Sequence, residues 1–221
     1  MMLEENIKGL CSKNGIDFVE FLSDLGVDNV QELTMFDLQA ISEEYEVDLY
    51  ALLFKPLFPI IHLKNKLNNI RLLILDVDGV MTDGGMYFTE NGDQIKKFNT
   101  KDGMAIMGLT KKNFPVAIIS SGFVGNTVQK RAEMLGIQHC FVTRESKISV
   151  LKDLLKELNL EMNQVAMIGD DINDLEVMQQ IAIAACPRDA VQEIKRSSHI
   201  ILNTNGGQGC VREFIDTYLT K

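Results

Sequence analysis

Residues 70–83 read IRLLILDVDGVMTD. Leu72 to Leu75 form an unbroken apolar run, and the run ends in Asp76, with a second carboxylate at Asp78 and a glycine at Gly79. A run without polar alternation is what a parallel strand covered on both faces requires. Carboxylates at its C-terminal end lie where open α/β sheets bind their ligands. Three further runs resemble it: VAIIS at 116–120, VAMIG at 165–169 and, less regularly, IAIAA at 181–185. Helical periodicity occupies 102–112, 124–135, 146–158, 172–180 and 189–196. Strands alternating with helices predict a Rossmann-like α/β domain: a parallel sheet with helices on both faces and right-handed crossovers. The stretch 85–98 interrupts the alternation and reads as a β-hairpin turning at Asn91-Gly92.

The strand ends carry the chemistry. Asp76 and Asp78 follow the first strand, Ser120, Ser121 and Gly122 the second, and Gly169 to Asp174 (GDDIND) the third, while Lys147 opens a helix. Carboxylates this dense repel one another unless a cation joins them, and an all-oxygen donor set selects a hard ion, Mg2+. A carboxylate beside such an ion can attack phosphorus. Gly79 lets the backbone curl, so that Asp78 can turn toward a leaving group as general acid and base. A serine hydroxyl and a lysine would donate to the transferring phosphoryl oxygens. Taken singly, an aspartate after a strand is more often a turn former or helix cap, and Asp83, Asp171 and Asp174 also fit that plainer role. The joint pattern is what argues for chemistry at Asp76, Asp78 and Asp170.

The chain has 221 residues, 46% hydrophobic and 24% charged, which excludes disordered, collagenous and coiled-coil classes. No apolar run approaches the roughly 20 residues of a membrane span. The first ten residues, MMLEENIKGL, have neither the basic nor the apolar part of a signal peptide. Four scattered cysteines (Cys11, Cys140, Cys186, Cys210) fit a reducing compartment, hence a cytoplasmic location. Residues 1–60, with three Lys/Arg and twelve Asp/Glu, carry the whole formal charge of −9, and the rest of the chain is balanced. That shift predicts an acidic helical domain over 1–60, a linker over 61–69 and the α/β domain over 70–221. Within the first, Phe18, Phe21, Leu22 and Leu25, then Leu38, Ile41 and Tyr45, follow helical spacing, with breaks at Gly15 and Gly26. Residues 35–54 resemble the helix-turn-helix core of phage-repressor-like domains, but a strongly acidic module repels nucleic acid. A docking or oligomerisation module for an unidentified partner is the expectation there.

The set Asp76-x-Asp78-Gly79-Val80-x-Thr82-Asp83, Ser121-Gly122, Lys147 and Gly169-Asp170-Asp171-x-x-Asp174 resembles the four motifs of haloacid dehalogenase superfamily phosphatases. FNTKDGMAI at 98–106 and NGGQGCVREFID at 205–216 are similar to the capless branch, which contains phosphatases of 3-deoxy-D-manno-octulosonate 8-phosphate and of nonulosonate 9-phosphates. The resemblance implies Asp76 as nucleophile and metal ligand, and Asp78 as general acid/base lending its carbonyl to Mg2+. It implies Ser121 or Ser120 with Gly122, and Lys147, as phosphate binders, Asp170 as the third metal ligand, and Asp171 and Asp174 as supports. Asn99, Lys101 and Asp102 resemble the wall of the site, and Arg212 either a carboxylate-binding cation or a brace for the last helix. Phe123 stands where the octulosonate enzymes carry an arginine after the second-motif glycine. Neither interval between motifs has room for a lid domain. The branch closes its sites by tetramerising through the hairpins, and apolar Met86 and Phe88 suit such an interface. The expected function is hydrolysis of a sugar-acid phosphate through an aspartyl-phosphate, in surface polysaccharide synthesis. The alternatives are another small sugar phosphate as substrate, or a non-catalytic regulator acting through the N-terminal module.

Overall fold

The computed structural model describes residues 2–47, 49–54, 57, 59–122 and 125–220, in two compact units, Met1–Lys64 and Asn65–Lys221. The first unit contains α1 (Met2–Asn14), α2 (Phe18–Asp24), α3 (Met35–Glu44) and α4 (Leu49–Phe54). Asp17 caps α2 through the amides of Val19 and Glu20, and Thr34 with Asp37 forms a capping box on α3. Gly15 and Gly26, both left-handed, end the first two helices. Ile7, Leu10, Cys11, Phe21, Leu22, Val30, Leu38, Ile41 and Leu52 form the core of the unit. Buried Asn6 stitches its C-terminal part, donating to the Leu52 carbonyl (2.8 Å) and accepting from the Leu57 amide (2.9 Å).

The segment expected as a linker is helical instead: α5 runs Pro59–Asn68. Proline is tolerated in the first turn of a helix, so Pro59 starts this helix rather than ending the one before. Lys55 and Pro56, read from the sequence as the helix stop, lie outside the described residues.

In the second unit β1 (Leu72–Leu75) leads to the hairpin β2 (Tyr87–Phe88) and β3 (Gln94–Ile95). There follow α6 (Thr100–Thr110), β4 (Val116–Ser120), α7 (Gly125–Leu135), β5 (His139–Val142), α8 (Lys147–Leu158), β6 (Val165–Ile168), α9 (Leu175–Met178), β7 (Ile183–Cys186), α10 (Gln192–Ser197), β8 (Ile200–Ile201) and α11 (Cys210–Phe214). The six-stranded sheet is parallel throughout, in the order β5-β4-β1-β6-β7-β8. Leu72 to Leu75 are fully buried. Leu72 and Ile74 pack with Leu151 and Leu154 of α8, Val177 of α9 and Ile194 of α10. Leu73 and Leu75, alternating along the strand, face the opposite layer. This is the predicted α/β architecture, and β1 sits at its centre between β4 and β6. The strand order reverses there, which opens a crevice beyond the carboxyl ends of these strands.

The hairpin turn is one residue longer than a plain Asn-Gly loop. The Gly92 amide donates to the Thr89 carbonyl (3.0 Å), the Thr89 amide donates to the Asp93 carbonyl (2.9 Å), and Gly92 is left-handed at φ 85°. That is a type I turn closed by a glycine bulge. All four cysteines are free, and among the described residues no helix is long and apolar enough to cross a membrane.

Each unit has its own core, so a chain beginning at Asn65 is expected to fold. It should unfold cooperatively on heating, followed by circular dichroism; a non-cooperative, dye-binding product would show that the α/β unit needs residues 1–64.

Candidate active site

The loop after β1 is wound by one glycine. Asp76 and Asp78 are extended, and Gly79 is left-handed (φ 87°), after which the Thr82 amide donates back to the Val77 carbonyl (3.0 Å). A Cβ on Gly79 would stand 2.0 Å from Asp170 Oδ2, so only glycine lets the loops after β1 and β6 approach this closely. The tail closes over the same loop. Gly207 donates its amide to the Val80 carbonyl (2.9 Å), and a Cβ on Gly206 would overlap the Gly79 carbonyl.

Lys147, at the first turn of α8, is almost completely buried. Its ammonium bridges Asp76 Oδ1 (2.9 Å) and Asp174 Oδ1 (2.6 Å). The other oxygen of Asp174 accepts from the amides of Asp170 (3.0 Å) and Asp171 (3.4 Å). Asp174 therefore shapes the loop that presents Asp170 while holding the lysine. Asp171 turns back on its own loop, accepting from the Ile172 amide (2.7 Å). Asp78 sits on the other side of Asp76, half-exposed, with its Oδ1 in contact with the ammonium of Lys96 and 3.5 Å from Thr82 Oγ1.

Burial and mutual repulsion dominate the electrostatics. Burial, reinforced by the charge of Asp174 and opposed by Lys147, pushes the Asp76 carboxyl up to about 6. Burial and the charges of Asp76, Asp174 and Asp171 push Asp170 up to about 8. Lys147 is shifted upward, because its two carboxylates outweigh the burial that acts against its charge. Carboxyl oxygens of Asp76, Asp170 and Asp174 lie within 4.8 Å of one another, and buried Asp170 Oδ1 has no hydrogen-bond partner. An orphaned carboxylate oxygen in an all-oxygen cluster fits a hard divalent cation. Both Asp174 oxygens are engaged, so Asp76 and Asp170 are the side chains of this cluster that could hold such an ion, and the family resemblance adds the Asp78 carbonyl.

Asp76, Asp78, Ser120, Ser121, Gly122, Asp170 and Asp171 line a cavity of about 440 Å³ together with Asn173 and with Met86, Phe88 and Gln94 of the hairpin. Ser120 is buried at the end of β4, its Oγ 3.4 Å from the Gly122 amide, whereas Ser121 is exposed and meets Asn173 Nδ2 at the rim (3.4 Å). Phe123, at the position of the family arginine, lies outside the described residues.

The sequence-predicted wall residues do not line this cavity. Asn99 caps α6 through the Lys101 amide (2.8 Å) and donates to the Gly207 carbonyl (3.1 Å), bracing the tail. Asp102 is buried, accepts from the Arg212 amide (2.7 Å), and burial raises its carboxyl. Lys101 is exposed. Arg212 pairs with Asp216 one turn on (2.5 Å). Lys96 and Asn173 are additions that the motifs did not flag. Lys96 has a sequence signal: it shares the strand parity of Gln94, which faces the cavity.

A family model described as haloacid dehalogenase-like hydrolase matches residues 141–215. The 3-deoxy-D-manno-octulosonate 8-phosphate phosphatase of Salmonella typhimurium is 37% identical over 169 residues, 76% of this chain and 88% of that protein. The solved structure of the Moraxella catarrhalis phosphatase of that name, in complex with magnesium, phosphate and KDO, has a TM-score of 0.68 at 30% identity over 70% of this chain and 88% of that one. The cobalt-bound deoxy-D-mannose-octulosonate 8-phosphate phosphatase of Haemophilus influenzae has a TM-score of 0.66 at 35% identity over 69% of this chain and 89% of that one.

The raised carboxyls make a signed prediction for the metal-free protein. A carboxyl whose folded pKa exceeds its unfolded value binds more protons in the native state, so stability falls as pH rises from the unfolded value to the folded one and is level above it. For Asp170 that value is about 8. In chelator, Asp170→Asn should match the parent near pH 4, gain on it as pH rises toward 8, and hold a level lead above 8. The gap should grow by at most about 1.4 kcal/mol per pH unit. Denaturant unfolding at several pH values would read it; a gap independent of pH would contradict the crowding.

Proposed function

The chain belongs to the haloacid dehalogenase-like hydrolases, among the relatives of 3-deoxy-D-manno-octulosonate 8-phosphate phosphatase, and on that premise we propose that it is a Mg2+-dependent phosphatase of a sugar-acid phosphate, working through an aspartyl-phosphate on Asp76. The observation that carries this reading is the buried Asp76 carboxylate at the cavity floor, held by Lys147 on one side and next to the orphaned oxygen of Asp170 on the other.

Mg2+ bound by Asp76, Asp170 and the Asp78 carbonyl would offset the charge of the phosphoryl oxygens and so let an anionic nucleophile meet an anionic ester. Lys147 fixes Asp76 through Oδ1 and leaves Oδ2 for attack on phosphorus; its remaining proton is available to a phosphoryl oxygen. As the new Oδ2–P bond forms, the bond from phosphorus to the sugar oxygen breaks, and Asp78 gives that oxygen a proton. Water then surrenders a proton to Asp78 and attacks the acyl phosphate, which releases inorganic phosphate and restores Asp76. Ser120, buried at the strand end, suits the phosphoryl group, while Ser121 at the rim suits the sugar.

Octulosonate 8-phosphate is the substrate of choice by kinship, with a nonulosonate 9-phosphate as the close alternative, the product feeding surface polysaccharide synthesis in the cytoplasm. The cavity is open, and Met86 and Phe88 at its mouth are 64% and 60% exposed. A homotetramer in which neighbouring copies cover that mouth would exclude water from the reaction. Residues 1–60 are left to an unidentified partner.

Three outcomes follow for the enzyme. Asp76→Asn should lose at least about 10³-fold in kcat on any substrate, since an amide cannot attack phosphorus; a variant keeping a tenth of the activity would remove Asp76 from the mechanism. Ser120→Ala should lower kcat on p-nitrophenyl phosphate by more than tenfold, roughly 1.4 kcal/mol of barrier, and Ser121→Ala by less than threefold; the reverse order would exchange their roles. Light scattering should give the mass of four chains, and a fully active monomer would refute closure by neighbours.

A further inference from the structure

The ammonium of Lys96 is the second cation of the site, and nothing in the mechanism above uses it. It follows β3, its side chain is only 6% exposed, and it contacts Asp78 Oδ1. A lysine on a two-stranded hairpin ordinarily extends into water; this one is folded inward against Asp78, which lines the cavity. The same Oδ1 lies 3.5 Å from the Thr82 hydroxyl, which is itself held by the Val77 carbonyl (3.2 Å). One oxygen of Asp78 is thus held by Lys96, with the Thr82 hydroxyl alongside. The other, Oδ2, points across the cavity to Gly122, 4.0 Å from where a Cβ on that residue would stand.

Resting on the phosphatase reading, we propose that Lys96 is a positioning residue for proton transfer, fixing Asp78 Oδ1 so that Oδ2 alone delivers the proton to the departing sugar oxygen and later takes one from water. A carboxylate on a curled loop, with its side chain 41% exposed, otherwise rotates between several orientations. The ion pair on one oxygen favours a single orientation, and proton transfer depends on donor and acceptor being held within hydrogen-bond reach. The hairpin therefore places its own lysine against the proton donor, as well as lining the mouth with Met86 and Phe88.

The role has a kinetic signature that loss of structure would not imitate. A p-nitrophenolate leaves without a proton, whereas a sugar alkoxide needs one. The second step, attack by water, needs Asp78 for both esters. In Lys96→Met, stopped-flow mixing with p-nitrophenyl phosphate should give a burst of one p-nitrophenolate per site at a rate within threefold of the parent, followed by a steady state at least about tenfold slower. With an alkyl sugar phosphate, the same variant should lose at least about tenfold in the first turnover, with no burst. Lys96→Arg should recover most of the loss, because a guanidinium can keep the contact. If methionine prevents folding, Lys96→Gln, judged by its melting curve, replaces it under the same criteria. Equal loss on both esters in the first turnover, or unchanged steady-state rates, would overturn the assignment. A parent protein that hydrolyses neither ester would instead defeat the phosphatase reading itself.

Discussion

The second unit depends on one buried ammonium. Lys147 compensates two carboxylates at once, Asp76 and Asp174, in surroundings where any of the three alone would be a severe cost. The arrangement couples fold to chemistry. Asp174 uses its second oxygen to cap the loop after β6, so the lysine that steadies Asp76 also steadies the loop carrying Asp170. Two cations, Lys147 and Lys96, face five aspartates along this edge of the sheet. Burial, reinforced by this excess negative charge, raises Asp76 and Asp170, and the charge is what a divalent ion would relieve.

Backbone geometry is subordinated to that cluster. The loop after β1 curls at Gly79, the tail approaches at Gly206, and the aspartates meet at distances that a Cβ at either place would forbid. Asn99 and Asp102, expected at the substrate, serve this closure by holding Gly207 and the amide of Arg212.

Most of the architecture was legible because central parallel strands are unmistakable as apolar runs; β1, β4 and β6 fall within a residue of their expected limits. The sheet edges were not. The β5 strand, His139–Val142, is only half-buried and mixes polar with apolar residues, and β8 has two residues, so neither produces a run. The helix over 59–68 was hidden by a proline read as a stop when it stands at a start. In the site, the motif spacing located Asp76, Asp78, Lys147 and Asp170 together, because each follows a strand or opens a helix. It undervalued Asp174, whose spacing from Asp171 matches a capping box and whose side chain is completely buried. It missed Lys96, which only a count of strand parity through the hairpin would have turned inward.

On the proposed mechanism a phosphoryl group passes through the buried carboxylate that Lys147 holds. Rapid quenching of the Mg2+-loaded enzyme during turnover of p-nitrophenyl phosphate, followed by acid digestion and peptide mass spectrometry, tests it directly. The expected result is the mass of one phosphoryl group on the peptide containing Asp76, abolished in Asp76→Asn. A phosphoryl group on another residue, or full turnover with no phosphorylated peptide at any quench time, would contradict it.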